Sequence, residues 1–169
     1  MKPALSSILC VLVALLILFA ARPRSDAWAQ DAAVDPLVVA SADSLDLARA
    51  AARVGDRGVL TRLRSPIVST QLAAIHATPF MRDPVAALGP LGTLARGRDP
   101  DLAPAAAQAA ATIARSLTLI ALAHHEVMRS EIAQLASVYA QLGADTTARA
   151  DIRAAALVVA SKLRGLAAG

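Results

Sequence analysis

Apolar residues recur at helical spacing along most of this chain. Leu102, Ala106, Ala109, Ile113, Leu117 and Ile120 step by four, three, four, four and three positions, which is the 3.6-residue period of a helix with one buried side. Met128, Ile132, Leu135, Tyr139 and Leu142 repeat the pattern, and so do Ile152, Ala156, Val159, Leu163 and Leu166. Upstream, Asp43 or Ser44 can cap a helix through Leu47, Ala48, Ala51, Ala52 and Val54 that Gly55 stops, and Asp56 can cap the next, from Arg57 to Arg64. Ser65-Pro66 restarts the chain with proline in the first helical turn, placing Val68, Leu72 and Ile75 on one face before Pro79 ends it. Asp83-Pro84 begins a stripe of Val85, Leu88, Leu91, Leu94 and Ala95, with a bend or break predicted at Gly89-Pro90 and an end at Gly97. The longest helix is predicted to start at Asp99-Pro100, with Pro104 in its first turn, and Gly143 is predicted to close the one after it. No segment alternates as a half-buried strand does, so the fold class is all-α.

Two of these starts, Ser65-Pro66 and Asp99-Pro100, lie 34 positions apart, each opening a helix of small residues. A repeat of that length is the mark of stacked helical units, none of which covers its own apolar face.

The N-terminus reads differently. Lys2 precedes a 14-residue apolar run from Ile8 to Ala21, and Ala27-Trp28-Ala29 supplies small residues for cleavage. That is the layout of a secretory signal peptide over residues 1–29, since a membrane-spanning helix needs about 20 apolar residues. Arg22, Pro23, Arg24 and Asp26 lengthen the stretch before the cut, so an uncleaved inner-membrane anchor is the alternative. Cys10 lacks the small residues a lipidation signal places before its cysteine. Residues 30–43 form a leader, mostly irregular, with at most a brief docking helix around Leu37 to Ala40.

Cleavage changes the charge argument. The full chain carries 17 basic and 13 acidic residues. Loss of Lys2, Arg22, Arg24 and Asp26 leaves 14 and 12, a charge of +2 with no dense positive field. Phe80 and Tyr139 become the only aromatic side chains, so the stacking platforms and basic stripe of a nucleic-acid binder are missing. The mature chain also contains no cysteine, and packing alone must hold it.

Candidate chemistry is sparse. His124-His125-Glu126 is the one cluster with ligand-type side chains, but adjacent histidines on a helix point about 100° apart and do not chelate one metal as an i, i+4 pair does. His76 stands near a helix end with no carboxylate or nucleophile placed beside it. Ser69 and Thr70 lack a nucleophile elbow, and Gly55 to Gly58 lacks the phosphate-loop ending. No catalytic residue, cofactor or metal ligand is assigned. The densest basic region is Arg49, Arg53, Arg57, Arg62 and Arg64, interleaved with Asp46 and Asp56. It reads either as a solvated mixed-charge face or as a surface on which Arg53, Arg57 and Arg64 meet an acidic partner.

Asp99-Pro100-Asp101-Leu102 followed by Ala105 to Ala111 resembles the second helix of a HEAT repeat. The stretch from Leu47 to Asp56 is similar to the end of such a helix and its Gly-Asp link, and Ile152-Arg153-Ala154-Ala155-Ala156-Leu157 to its core. The resemblance covers roughly residues 44–166; it departs at Pro104, where the family has an aliphatic residue, and in the last pair, which lacks the Asp-Pro start. It implies a short right-handed α-solenoid of stacked antiparallel helix pairs that binds another protein. The resulting expectation is an exported, periplasmic or secreted, non-enzymatic scaffold with an unidentified protein partner and open ends that permit self-association. The alternatives are an enzyme or accessory subunit, since some HEAT-like proteins act as bilin lyases or hydroxylases, and the same scaffold on a retained membrane anchor.

Overall fold

The computed structural model describes residues 35–40, 43–118 and 129–168. Among them every regular element is helical: α1 (Pro36–Ala40), α2 (Ser44–Arg62), α3 (Val68–Ala77), 3-10 turns at Thr78–Phe80 and Pro84–Ala87, α4 (Leu88–Ala95), α5 (Leu102–Ser116), α6 (Arg129–Ala144) and α7 (Ala150–Ala168). The fold class is therefore all-α. The signal segment, Ile120, the His124-His125-Glu126 cluster and Met128 lie outside the described residues.

Local chemistry sets the helix starts. The Asp43 carboxylate accepts the backbone N–H groups of Leu45 and Asp46, at 2.7 and 3.4 Å, and so caps α2. Ser65 Oγ accepts the N–H of Ile67 at 3.1 Å, while Asp99 Oδ1 accepts those of Asp101 and Leu102 at 3.0 and 2.9 Å. α3 and α5 then begin at Val68 and Leu102, so the 34-residue offset of the sequence is reproduced in the turns. Pro66 and Pro100 stand in those capping turns, two residues ahead of each helix, rather than inside its first turn as predicted. The turn uses the N–H two residues after the polar side chain, which pushes the first helical residue past the proline.

Gly55 interrupts α2 with φ +72° and ψ 163°, a conformation almost confined to glycine, so the predicted stop is a sharp break between two helical halves. Gly89-Pro90, by contrast, breaks nothing. The discontinuity lies one step earlier, where the 3-10 turn gives way to α4 at Leu88, and Pro90 falls in the first turn where its missing N–H has no helical acceptor to lose. Pro104 occupies the matching place in α5. That helix ends at Ser116, and Leu117 turns extended. Among the described residues the longest helix without a break is instead α7, with 19 residues.

Gly143 does not end α6, which runs on to Ala144. A Cβ there would lie 2.6 Å from Leu157 Cδ2, so the glycine makes room for α7. α3 also departs from its stripe. Val68 is 47% exposed, whereas Thr70, Ala73, Ala74, Ile75 and Ala77 are buried, so the covered side of the helix is formed mainly by its small residues.

α2 packs on α3, α4 on α5 and α6 on α7. α3 also touches α5, and α5 touches α7; α4 meets α6, and α1 lies against both α2 and α3. α5 thus has neighbours on three sides, which its alanines permit: Ala103, Ala106, Ala107, Ala110, Ala111 and Ala114 are all buried. Short side chains let helix axes approach, and stability is spread over many small contacts. Tyr139 is the one aromatic ring in this core. It is wholly buried in α6, donates its hydroxyl hydrogen to the Leu88 carbonyl at 2.7 Å, and lies against Gly92.

Candidate functional site

The five arginines of α2 and its following turn divide by their partners. Arg49 pairs with Asp46 at 3.1 Å, an exposed pair one helical turn apart that contributes well under about 1 kcal/mol. Arg62 reaches back to Asp35, its Nε 2.7 Å from Oδ2. Asp35 is only 7% exposed and also accepts the Leu37 N–H at 3.0 Å, so a single carboxylate caps α1 and ties it to the end of α2. Leu37 is fully buried beneath that tie.

Arg53, Arg57 and Arg64 remain exposed, their guanidinium groups without a hydrogen bond or ion pair among the described residues. Arg53 lies just before the Gly55 break, Arg57 just after it, and Arg64 in the turn that follows Arg62. The acidic residues interleaved with them are engaged elsewhere. Asp46 is taken by Arg49, and the Asp56 oxygens accept the backbone N–H groups of Arg82 and Asp83 at 3.1 and 2.9 Å. Asp56 thus straps a loop 26 residues away, a role different from the helix cap that its sequence position predicts.

Two of the grooves among the described residues lie away from these arginines. One, of about 570 Å³, separates the turn after α4 from the turn before α7 and is lined by Arg96, Arg98, Asp99, Asp145 and Arg149 among others. Its charges are largely committed: Arg149 makes a two-point contact with Asp151 and reaches the Pro100 carbonyl, while Arg96 donates to the Val138 carbonyl. Hydrogen bonds from Thr147 hold the Asp145 carboxyl below its ordinary range, and Arg149 does the same for Asp151. The second groove, of about 510 Å³, opens between α5 and α7 and is lined by Arg115, Leu157, Val158, Ser161 and Lys162. Sequence reasoning passed over these residues. Their signal was present in the unbroken apolar run from Ala154 to Ala160, seven residues that span two turns and so place apolar groups on the outward side as well as the buried one.

The remaining candidates are scattered. His76 is exposed in the last turn of α3, Ser69 is exposed, and Thr70 is buried. Among the described residues no three His, Cys, Asp or Glu side chains converge on a metal-sized site. Burial pushes the Tyr139 phenol well above its ordinary value, with Arg96 opposing it. None of the described helices is long and apolar enough to cross a membrane. No protein-family model, curated protein or solved structure matches the chain.

Proposed function

We propose that this chain is an exported, non-enzymatic protein-binding scaffold: a short α-solenoid of HEAT-like helix pairs that holds a protein partner through Arg53, Arg57 and Arg64. The observation that carries the reading is the packing order. Sequential pairs α2/α3, α4/α5 and α6/α7 touch internally, and one helix of each pair, α3, α5 and α7, touches the next in turn. Such nearest-neighbour stacking builds extended binding faces rather than an enclosed pocket. The three arginines lie exposed on α2 and the turn after it, and an uncommitted guanidinium presents a planar fork of donors that matches a carboxylate.

Affinity capture with the full chain tests the proposal. Wild type is expected to retain one protein from the exported fraction of the cells that make it, and the Arg53→Ala, Arg57→Ala, Arg64→Ala triple variant to lose it, most steeply at low salt. Equal capture by the triple variant refutes the arginine surface. N-terminal sequencing tests export: a start at Gln30 is expected, and an intact Met1 refutes cleavage.

A further inference from the structure

α7 is apolar on two opposite sides. Ile152, Ala156, Val159, Leu163 and Leu166 face the core, and Ala154, Leu157, Val158 and Ser161 face outward without a charge among them. Leu157 is 53% exposed and Val158 36%. A helix in a globular domain ordinarily gives its outward side to polar or charged residues; in α7 the charges Asp151, Arg153, Lys162 and Arg164 lie on the flanks, and the strip between them is short and uncharged. The outward side of α7, together with α5, forms the open groove of about 510 Å³.

Among the described residues that line it, the groove has charge of one sign. Arg115 and Lys162 stand on its rim. The sequences of α5 and α7 contain a single acidic residue, Asp151, in the first turn of α7 and already taken by Arg149. We propose that this groove docks an amphipathic helix of another protein, its apolar stripe on Leu157 and Val158 and its carboxylates against Arg115 and Lys162. The inference rests on the scaffold reading and names the partner's chemistry.

Charge selects this occupant over the others. A second copy docked by the same face about a two-fold axis sets Arg115 and Lys162 against their own counterparts, which an interface disfavours. An anionic membrane surface matches the basic rim but prefers a protruding apolar helix with aromatic anchors, whereas here one side of α7 is already buried and the exposed strip contains Ser161 and no aromatic residue. A helix laid along the strip, anchored at positions i, i+3 or i+4 and i+7, fits the sign of the charge.

The test places the photo-crosslinking residue p-benzoylphenylalanine at Ser161 of the full chain in the cells that make it, with a parallel probe at Thr61 on α2, and identifies the crosslinked peptide by mass spectrometry. The Ser161 probe is expected to mark one segment of another protein, net acidic and with helical apolar spacing. A synthetic peptide of that segment is expected to bind at least tenfold more weakly to Lys162→Glu and to Leu157→Asp, with unchanged helical circular dichroism; Leu157→Ala serves as the milder variant if the aspartate unfolds the chain. Crosslinks to this chain itself, to lipid, or to a segment that is not acidic and amphipathic overturn the proposal. Capture at Thr61 with none at Ser161 overturns the groove alone, and capture at neither site overturns the scaffold reading with it.

Discussion

Replacing Tyr139 by Phe removes one oxygen from the core and nothing else. In the wild type that oxygen donates to the Leu88 carbonyl at 2.7 Å, and both residues are fully buried. A buried hydrogen bond contributes roughly 1 kcal/mol net, and a carbonyl deprived of this partner adds part of its own desolvation penalty, so the variant is expected to lose about 1.5 kcal/mol at neutral pH. For a unit of this size that lowers Tm by about 5 °C. The difference should then depend on pH with a definite sign. Burial raises the folded phenol above the 10.0 of the free side chain, so the contribution is complete below pH 10 and is lost as pH rises from there toward the folded value. Between those limits the wild-type advantage shrinks by about 1.4 kcal/mol per pH unit, and the two proteins should reach equal stability near roughly pH 11. Thermal melts of both proteins from neutral to alkaline pH measure this. Because Tyr139 is the only tyrosine, near-ultraviolet tyrosinate absorbance reports its ionisation directly. A native-state titration midpoint near 10, or a Phe variant as stable as wild type at neutral pH, refutes the buried hydrogen bond.

Gly55→Ala should destabilise by about 1–3 kcal/mol in urea melts, purely through backbone conformation, since a Cβ there meets no atom within 4 Å. A stabilised variant would mean that α2 is continuous. Asp35→Ala should cost about 2 kcal/mol by leaving Arg62 without its partner, and a double-mutant cycle with Arg62→Ala should return a coupling of about 1–2 kcal/mol; zero coupling refutes the tie to α1. The lowered carboxyls of Asp145 and Asp151 stabilise the turn before α7 above the ordinary carboxylate range and stop doing so as pH falls through their folded values. Amide exchange at Thr147 and Ile152 should therefore speed up, relative to the core of α5, below about pH 4, and an unchanged ratio counts against these bonds.

Features decided within one or two helical turns were legible in the chain itself. The period of Ile152, Ala156, Val159, Leu163 and Leu166 gave a buried stripe, and every one of those residues is buried. The Asp43 and Asp99 caps and the turn at Ser65 were readable for the same reason, since the polar atom and the N–H it satisfies lie two or three residues apart, and the break at Gly55 follows from the backbone freedom of that one residue. Of the arginine-rich stretch, the sequence showed only the mixture of charges.

Which arginines are already spent depended on contacts far along the chain. Asp35 meets Arg62 across 27 positions, Asp56 reaches Arg82 across 26, and Tyr139 finds Leu88 across 51. No periodicity encodes those distances, because they follow from how whole helices stack. The same stacking exposed Val68 despite its place on an apolar stripe, set Gly143 directly beneath the Leu157 side chain, and left Leu157 and Val158 partly open to solvent. Local hydrogen bonding and side-chain period fixed where each helix begins and which residues it hides. Only the assembled neighbours decided which charges and apolar groups stay open, since a surface is whatever the packing of distant segments fails to cover.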